Sequence, residues 1–497
     1  MKVSLLFVDR DFELDSTVMP NEPTITTDLE LATLWGAMAK GNDFLRDVSQ
    51  HALLSPLKDP SQIRYRQQVL QDCIRNPVLV RDIYKLAVLA MEREKKSYFG
   101  FFSRYPSAIL GRAIEVMEGF SEILKRLYTL AESQQSQFTS QGFTRFLSMV
   151  VEEVGPDYLE EIHSHLRDLK FPRGLDMSAR LGPGNKGSDY VLNPHQEPRG
   201  WMQRMTHTKP RYYSYVVASR DEAGAKALSE LWDRGINSVA NALAQSVDHI
   251  LNFFIQLRTE LGFYLGCLNL HEALIALDEP VCFPVPEDAS GQRLSAERLY
   301  DPCLALKLGM AVTDNDLQAD QKDLILVTGA NQGGKSTFLR SVGVAHLMMQ
   351  AGMFVAAGSF QASVRSGIFT HYRREEDRSM ASGKLDEELK RMSEIVDQVQ
   401  PHALILFNES FTATNEREGA EISRQILRAL IEKQIKTMFV THLYELARSF
   451  YQESLQTVLF LRAAREPDAK RTFKICEAPP LETSYGDDLY REIFEES

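Results

Sequence analysis

The run LILVTGANQGGKST at residues 324–337 leaves few folds open. Its four leading apolar residues read as a parallel strand covered on both faces, where no alternation is required. Gly329, Gly334, Lys335 and Ser336 then meet the spacing G-x-x-x-x-G-K-[ST] of a phosphate loop. The chemistry needs these residue types. Glycines let successive backbone N–H groups curl around a β-phosphate, a lysine reaches the β and γ oxygens, and a serine hydroxyl can ligate Mg²⁺. The helix predicted over residues 338–349 opens at this loop and favours an anion at its N-terminus. A glycine-rich turn ahead of a chance lysine would match the spacing, but it would need neither a strand before it nor a helix after it. The stretch predicts a nucleoside triphosphate site, with Asn331, Gly333 and Thr337 counted among its nucleotide-binding residues.

A chain of 497 residues suggests about three domains. With 44% hydrophobic residues it can fill sizeable cores. The formal net charge of −12 excludes a uniformly basic surface, so any contact with nucleic acid needs a local patch. Cys73, Cys267, Cys282, Cys303 and Cys476 form no C-x-x-C pair, which argues against a zinc site or disulfide framework and for a reducing compartment. The N-terminal MKVSLLFVDRDFELD is too briefly apolar for a signal peptide, and no apolar run nears the roughly 18 residues of a membrane span. The composition predicts a cytoplasmic protein that does not engage a membrane.

Residues 1–25 read as a strand-like lead-in of unassigned role. From 26 to 285 helical periodicity dominates, broken at Ser55-Pro56, Asn76-Pro77, Tyr105-Pro106 and Gly155-Pro156. Within it lies an irregular basic insert at about 171–215; residues 171–210 alone hold five Gly and five Pro. The wider segment 161–220 has ten Lys or Arg against five Asp or Glu, with Trp201, Tyr212, Tyr213 and Tyr215 interleaved. Basic residues among aromatics suit phosphate contact and base stacking, although a solvated loop with a few packed aromatics has the same composition. Residues 221–277 then contain no proline, and apolar residues recur every three or four positions from Leu228 through Trp232, Ile236 and Phe254 to Leu268. One long helix, about 60 Å from Leu228 to Leu268 if straight, or two helices broken near Gly262 or Gly266 would both carry this stripe. Pro280, Pro284 and Pro286 mark a linker into a nucleotide domain over 290–497.

Two further apolar runs in that domain end in polar residues. Residues 403–407, ALILF, lead into Asn408-Glu409. A pair of carboxylates at such a strand end supports Mg²⁺ and a water-activating base. Asn408 offers only an amide oxygen, so weaker metal affinity is expected. Glu409 keeps the charge of a general base and joins Ser336 and Asn408 as a candidate metal ligand. Residues 437–440 lead into Thr441-His442, where an imidazole can donate to a γ-phosphate, though a lone histidine is often a packed structural group. Ser382-Gly383 precede a helix predicted to about residue 400, with Asp386, Glu387 and Glu388 in its early turns. That start is either a plain N-cap or a second anion-binding element.

Taken in order, GANQGGKST, IFTHYRREEDRSMASGKLDEEL, LILFNESFTATNEREG, FVTHLYEL and SYGDDL resemble the MutS family of DNA mismatch-repair ATPases, relatives of the ABC-type ATPases. The likeness is close over about 290–490. Upstream it is weaker: LLSPLKDPSQIRYRQQVLQD at 53–72 is similar to the start of the family's helical core, and the long helix to its lever arm. The resemblance implies an α plus α/β chain, an all-helical core and lever domain followed by a C-terminal ABC-type phosphate-loop ATPase domain. It implies ATP and Mg²⁺ as cofactors. Lys335 and Ser336 would hold phosphate and metal, Glu409 would activate water, and His442 would contact the γ-phosphate. Ser382 and Gly383 match the signature loop that completes the opposite subunit's site, and residues 412–419 match the dimer-interface loop. A homodimer with two composite sites, closing on ATP, is implied.

The chain also departs from the family pattern. Ala330 and Gln332 stand where the family usually has Pro and Met, which binding through the backbone tolerates. Asn408 replaces the usual Asp and lowers the expected turnover. The residues ahead of the helical core leave no room for a mismatch-reading domain and contain no Phe-x-Glu wedge. No nuclease-like extension is expected after the ATPase. The expectation is a short member of the family without mismatch recognition. Its expected function is ATP-dependent binding of duplex or branched DNA by clamping lever helices, with little sequence specificity, in repair or recombination. The alternative is a nucleotide-switched interaction protein, a pseudo-ATPase in which Asn408 leaves little hydrolysis.

Overall fold

A computed structural model describes residues 1–96, 105–172, 174–193, 216–218, 220–329, 332–374, 383–465 and 471–481. Helices come first: α1 (Glu22–Asp28), α2 (Leu31–Ala39), α3 (Asp43–Leu54), α4 (Pro60–Arg75), α5 (Pro77–Lys96), α6 (Pro106–Gln134), α7 (Gln141–Glu153) and α8 (Pro156–Leu169). A hairpin of β1 (Met177–Leu181) and β2 (Gly187–Leu192) precedes the long α9 (Glu222–Ile275). Strands and helices then mix: β3 (Val285–Glu287), β4 (Leu294–Leu299), α10 (Pro302–Leu308), β5 (Asn315–Gln318), β6 (Leu324–Thr328) and α11 (Lys335–Gln350). There follow β7 (Ser359–Ser363), β8 (Ile368–Tyr372), α12 (Lys384–Gln398), β9 (Leu404–Asn408), α13 (Glu416–Glu432), β10 (Lys436–Val440), α14 (Tyr444–Glu453), β11 (Val458–Arg465) and β12 (Arg471–Glu477). The protein is of mixed helix and sheet. Among the described residues no helix is long and apolar enough to cross a membrane.

Local chemistry explains where the helices begin. Pro60, Pro77, Pro106 and Pro156 each open one, where a fixed φ helps and the missing N–H is not needed. The breaks at Asn76-Pro77, Tyr105-Pro106 and Gly155-Pro156 are therefore helix starts. Asp59 caps α4 by accepting from Ser61 N at 2.8 Å. Helix α9 runs unbroken through Gly262 and Gly266. Those glycines are points of close approach: a Cβ at Gly266 would lie 2.5 Å from Ser49 Oγ, and one at Gly262 would lie 3.4 Å from Phe44. Along the α9 stripe Ile236, Val247, Ile250, Phe254, Leu257, Leu261, Leu265 and Leu268 are buried, whereas Leu228 is exposed.

By their contacts the residues divide into two units, 1–3, 81–138 and 144–258 in one, and 4–80, 139–143 and 259–497 in the other. These limits differ from the sequence expectation of 26–285 and 290–497. Residues 26–80 and 259–285 group with residues 290–497, and buried polar side chains bond across these segments. Arg66 of α4 donates to Ala351 O at 3.2 Å, and Gln67 donates to Pro284 O at 3.0 Å. In the first unit Phe120 of α6 packs on Phe254 of α9, ring centres 5.6 Å apart, and Phe146 of α7 packs on Phe253. Residues 194–215, which include Trp201, Tyr212, Tyr213 and Tyr215 of the basic insert, lie outside the described residues.

In the second unit the described residues form a six-stranded sheet in the order β12-β11-β6-β10-β9-β8. Strands β11, β6, β10, β9 and β8 are parallel, and β12 is antiparallel at the edge. A four-stranded sheet, β3-β7-β4-β5, belongs to the same unit. Strands β6 and β10 are buried at every position, as parallel strands covered on both faces are. The lead-in is not a strand. Residues 4–7 run irregularly, and Leu5 N and Leu6 N donate to the buried Glu260 Oε2 at 2.6 and 2.9 Å.

Candidate nucleotide-binding site

Parallel neighbours bring their C-terminal ends to one edge, where an open α/β sheet has its crevice. In register, Tyr372 of β8 lies beside Asn408 of β9, Asn408 beside Val440 of β10, and Val440 beside Val327 of β6. The loop leaving β6 has positive φ at Gly329 (112°), Gln332 (58°) and Gly334 (88°). Side chains at the two glycines would meet backbone: a Cβ would lie 3.0 Å from Ala463 N at Gly329 and 3.2 Å from Phe473 O at Gly334. Asn331, with Ala330, lies outside the described residues.

Gly334 is the N-cap of α11, and Gly333, Gly334, Lys335, Ser336 and Thr337 line a cavity there. Lys335 is 4% exposed, and its Nζ donates to Gly329 O at 2.8 Å. Burial brings its ammonium from the ordinary 10.5 down to about 8, against the opposing pull of the Glu409 carboxylate. A glycine cradle with a buried ammonium fits a phosphate chain.

Ser336 Oγ donates to Asn408 Oδ1 at 2.8 Å. Both are neutral oxygen donors of the kind Mg²⁺ accepts, and Glu409 is the adjoining carboxylate. The set fits a Mg²⁺ ion brought in with phosphate oxygens. Among the described residues no cluster of three or more His, Cys, Asp or Glu could by itself hold a metal.

Glu409 leaves the sheet through a positive φ of 53°, its N–H donating to Val440 O at 2.9 Å. Its Oε1 accepts from His442 Nε2 at 2.9 Å, and its Oε2 lies 4.0 Å from Arg373 Nη1. The His442 hydrogen bond, helped by the charges of Lys335 and Arg373, holds the carboxyl below its ordinary range despite partial burial. Glu409 is therefore ionised at neutral pH. Behind it, the Ser410 hydroxyl lies 2.7 Å from His371 Nδ1 and 2.6 Å from His371 O. Burial pushes the His371 imidazole down to about 4, so the ring is neutral. Its Nε2–H donates to Glu388 O in α12 at 3.0 Å, tying that helix to the strand end that carries Glu409.

The cavity, about 410 Å³, runs from the phosphate loop into an apolar bay of Leu304, Leu308, Met310, Val312 and Phe473. Leu308 and Met310 are 56% and 60% exposed, an apolar surface beside an anion cradle that suits a flat heterocycle. Asp301, also lining the cavity, caps α10 through Cys303 N and Leu304 N and pairs with Arg340 of α11. That pair fixes the bay to the helix of the phosphate loop.

Residues 58–277 match the family of the MutS2 N-terminal domain, and residues 325–489 match MutS domain V. The chain belongs to the MutS family. The Endonuclease MutS2 of Thermus thermophilus is 31% identical over 180 residues, 36% of this chain and 23% of that protein. The DNA mismatch repair protein MutS of Flavobacterium psychrophilum is 27% identical over 350 residues, 65% of this chain and 39% of that protein. That of Caldicellulosiruptor saccharolyticus is 25% identical over 247 residues, 46% of this chain and 28% of that protein. The matched part spans less than half the length of each of these relatives.

Where the MutS signature loop is expected, Gly383 is the N-cap of α12 and Ser382 lies outside the described residues. In residues 412–419, where a dimer-interface loop is expected, Thr412 Oγ1 donates to Glu409 O at 2.9 Å and Asn415 caps α13 through Glu418 N at 3.0 Å. A Cβ at Gly419 would lie 2.4 Å from Phe411 O, so the loop closes on the end of β9 only with glycine there. Sequence reasoning missed Arg373, His371 and the apolar bay. The β-branched and aromatic run IFTHY was a strand signal, but Thr370 and His371 interrupt its apolar character.

Proposed function

We propose that the chain binds ATP with Mg²⁺ at this edge of the six-stranded sheet, hydrolyses it, and uses it to close a homodimeric clamp on DNA. The reading is carried by one observation: Lys335, Ser336, Asn408, Glu409 and His442, from three strand ends, converge on one site. The loop from Gly329 through Asn331, Gly333 and Gly334 to Thr337 cradles the phosphates, and the Lys335 ammonium neutralises them. Ser336, Asn408 and Glu409 would hold Mg²⁺, which would offset the charge of the β- and γ-phosphates. Glu409, ionised and oriented by His442, takes the proton of the attacking water, and His442 donates to the γ-phosphate. Ser382 and Gly383 complete the partner's site. The relatives' names, which include DNA mismatch repair protein, support DNA as the ligand of the clamp, with contacts from residues 161–220 mainly to phosphates.

The test is steady-state ATP turnover of the full chain with Mg²⁺, with and without duplex and branched DNA, at two salt concentrations. DNA-dependent turnover that fades with salt supports the clamp. Asn408 favours a second reading, in which ATP is a dimerisation switch; nucleotide binding without turnover under every condition would select it. Two variants probe the parts. Met310→Asp is expected to weaken ATP binding about tenfold by removing apolar cover from the base; unchanged affinity in a nucleotide titration would move the base elsewhere. His371→Ala is expected to lower turnover about tenfold with nearly unchanged nucleotide affinity, because a lost hydrogen-bonded tie loosens Glu409 and not the loop. Partial recovery in His371→Gln, whose amide can also donate, would separate this from a general loss of packing.

A further inference from the structure

Arg373 follows β8 directly and has no part in the reading above. Its backbone N–H donates to Asn408 O at 2.9 Å, which extends the β8–β9 ladder by one residue. The backbone of Arg373 is thereby held at the strand end that bears Glu409, itself a wall of the nucleotide cavity. The side chain is half exposed, at 51%, and its Nη1 stands 4.0 Å from Glu409 Oε2. At that separation a guanidinium is attracted without being locked in a hydrogen bond. The other oxygen of Glu409 is engaged by His442. The carboxylate is thus gripped on one side and merely accompanied on the other.

Asn408 is neutral, and Arg373, whose charge also reaches the Glu388 carboxylate, brings a positive charge to within 4.0 Å of Glu409. A phosphate group arriving beside Glu409 would meet that charge. Guanidinium suits the encounter, because its planar donors match phosphate oxygens in pairs where an ammonium acts as a point charge. The phosphate that such a contact would take is the terminal one, which a triphosphate has and a diphosphate lacks.

We propose that Arg373 recognises the γ-phosphate: its guanidinium turns from Glu409 Oε2 to the terminal phosphate of a bound nucleoside triphosphate. The exchange leaves Oε2 free for water and makes discrimination between tri- and diphosphate depend on this side chain. The proposal rests on the nucleotide-site reading above, and the experiment separates the two. Full-length wild type and Arg373→Ala are titrated calorimetrically with ADP and with the non-hydrolysable triphosphate AMP-PNP, after a thermal melt shows that the variant folds. Arg373→Ala is expected to lose about tenfold to a hundredfold in affinity for AMP-PNP, as for a hydrogen bond to a charged group, and less than about twofold for ADP. Arg373→Lys should recover part of the difference. If Arg373 only anchors Glu409, turnover falls while the ratio of the two affinities stays at the wild-type value, and the proposal is overturned with the nucleotide site intact. An equal loss for both nucleotides overturns it too. Failure of the wild type to bind either nucleotide would overturn the site reading and this proposal with it.

Discussion

Glu409→Gln is expected to lower steady-state ATP turnover by about 10²- to 10⁴-fold, the range of a lost general base, while nucleotide affinity holds or rises. Glutamine keeps the shape of the side chain. Its amide oxygen can still accept from His442 Nε2, so the 2.9 Å contact and the path of the loop are preserved. What is lost is the negative charge that draws a proton from water. The same loss removes a repulsion between Glu409 and incoming phosphates, which is why binding is not expected to weaken. Separate measurement of turnover and of nucleotide dissociation reads the two effects apart. Turnover that is measurable in the wild type and unaltered in the variant would mean that Glu409 is not the base, and the switch reading would gain.

The second large effect is on stability. Glu260→Leu is expected to destabilise the fold by about 3–5 kcal/mol, the cost of breaking a buried charged network by removing one partner. Glu260 is fully buried and accepts from Leu5 N and Leu6 N at 2.6 and 2.9 Å. These N–H groups have no strand to pair with, since residues 4–7 lie outside any sheet. Arg66, 1% exposed, donates to Leu6 O at 3.0 Å and stacks over the Phe7 ring at 4.4 Å, and Tyr264 donates to Leu5 O at 2.7 Å. Removing the carboxylate would leave two buried donors unpaired and the guanidinium without its nearby counter-charge. Glu260→Gln should cost less, because its oxygen still accepts. Urea unfolding of the three proteins measures this; a loss below about 1 kcal/mol in Glu260→Leu would mean that the segment is anchored by packing alone.

How much of this was legible depended on distance along the chain. The phosphate loop was readable because its chemistry is contiguous: strand, glycines, lysine, hydroxyl and helix follow one another within 324–337. Strands β9 and β10 announced themselves as unbroken apolar runs, and helix starts as prolines and caps. Strand β8 did not, because Thr370, His371 and Tyr372 read as polar although the first two are buried. Their partners, such as Ser410 and Glu388 for His371, come from other elements. Gly262 and Gly266 had left a broken helix open beside the single long one; they permit close packing on α3 rather than end a helix. No periodicity distinguishes those two uses.

The sequence alone determined that the phosphate-loop spacing follows an apolar strand and opens a helix, that a long apolar-striped helix lies ahead of it, and that MutS-like motifs stand in MutS order. These are local patterns, set by backbone freedom, capping and hydrophobic period. Tertiary structure alone decided that β8 lies next to β9, that Arg373 therefore stands beside Glu409, and that Asp301 and Arg340 join the apolar bay to the loop helix. It also decided that residues 4–80 and 259–285 group with residues 290–497. The physical reason is common to all of these. Strand order and the pairing of buried charges depend on which distant segments meet, and that meeting leaves no period in the sequence.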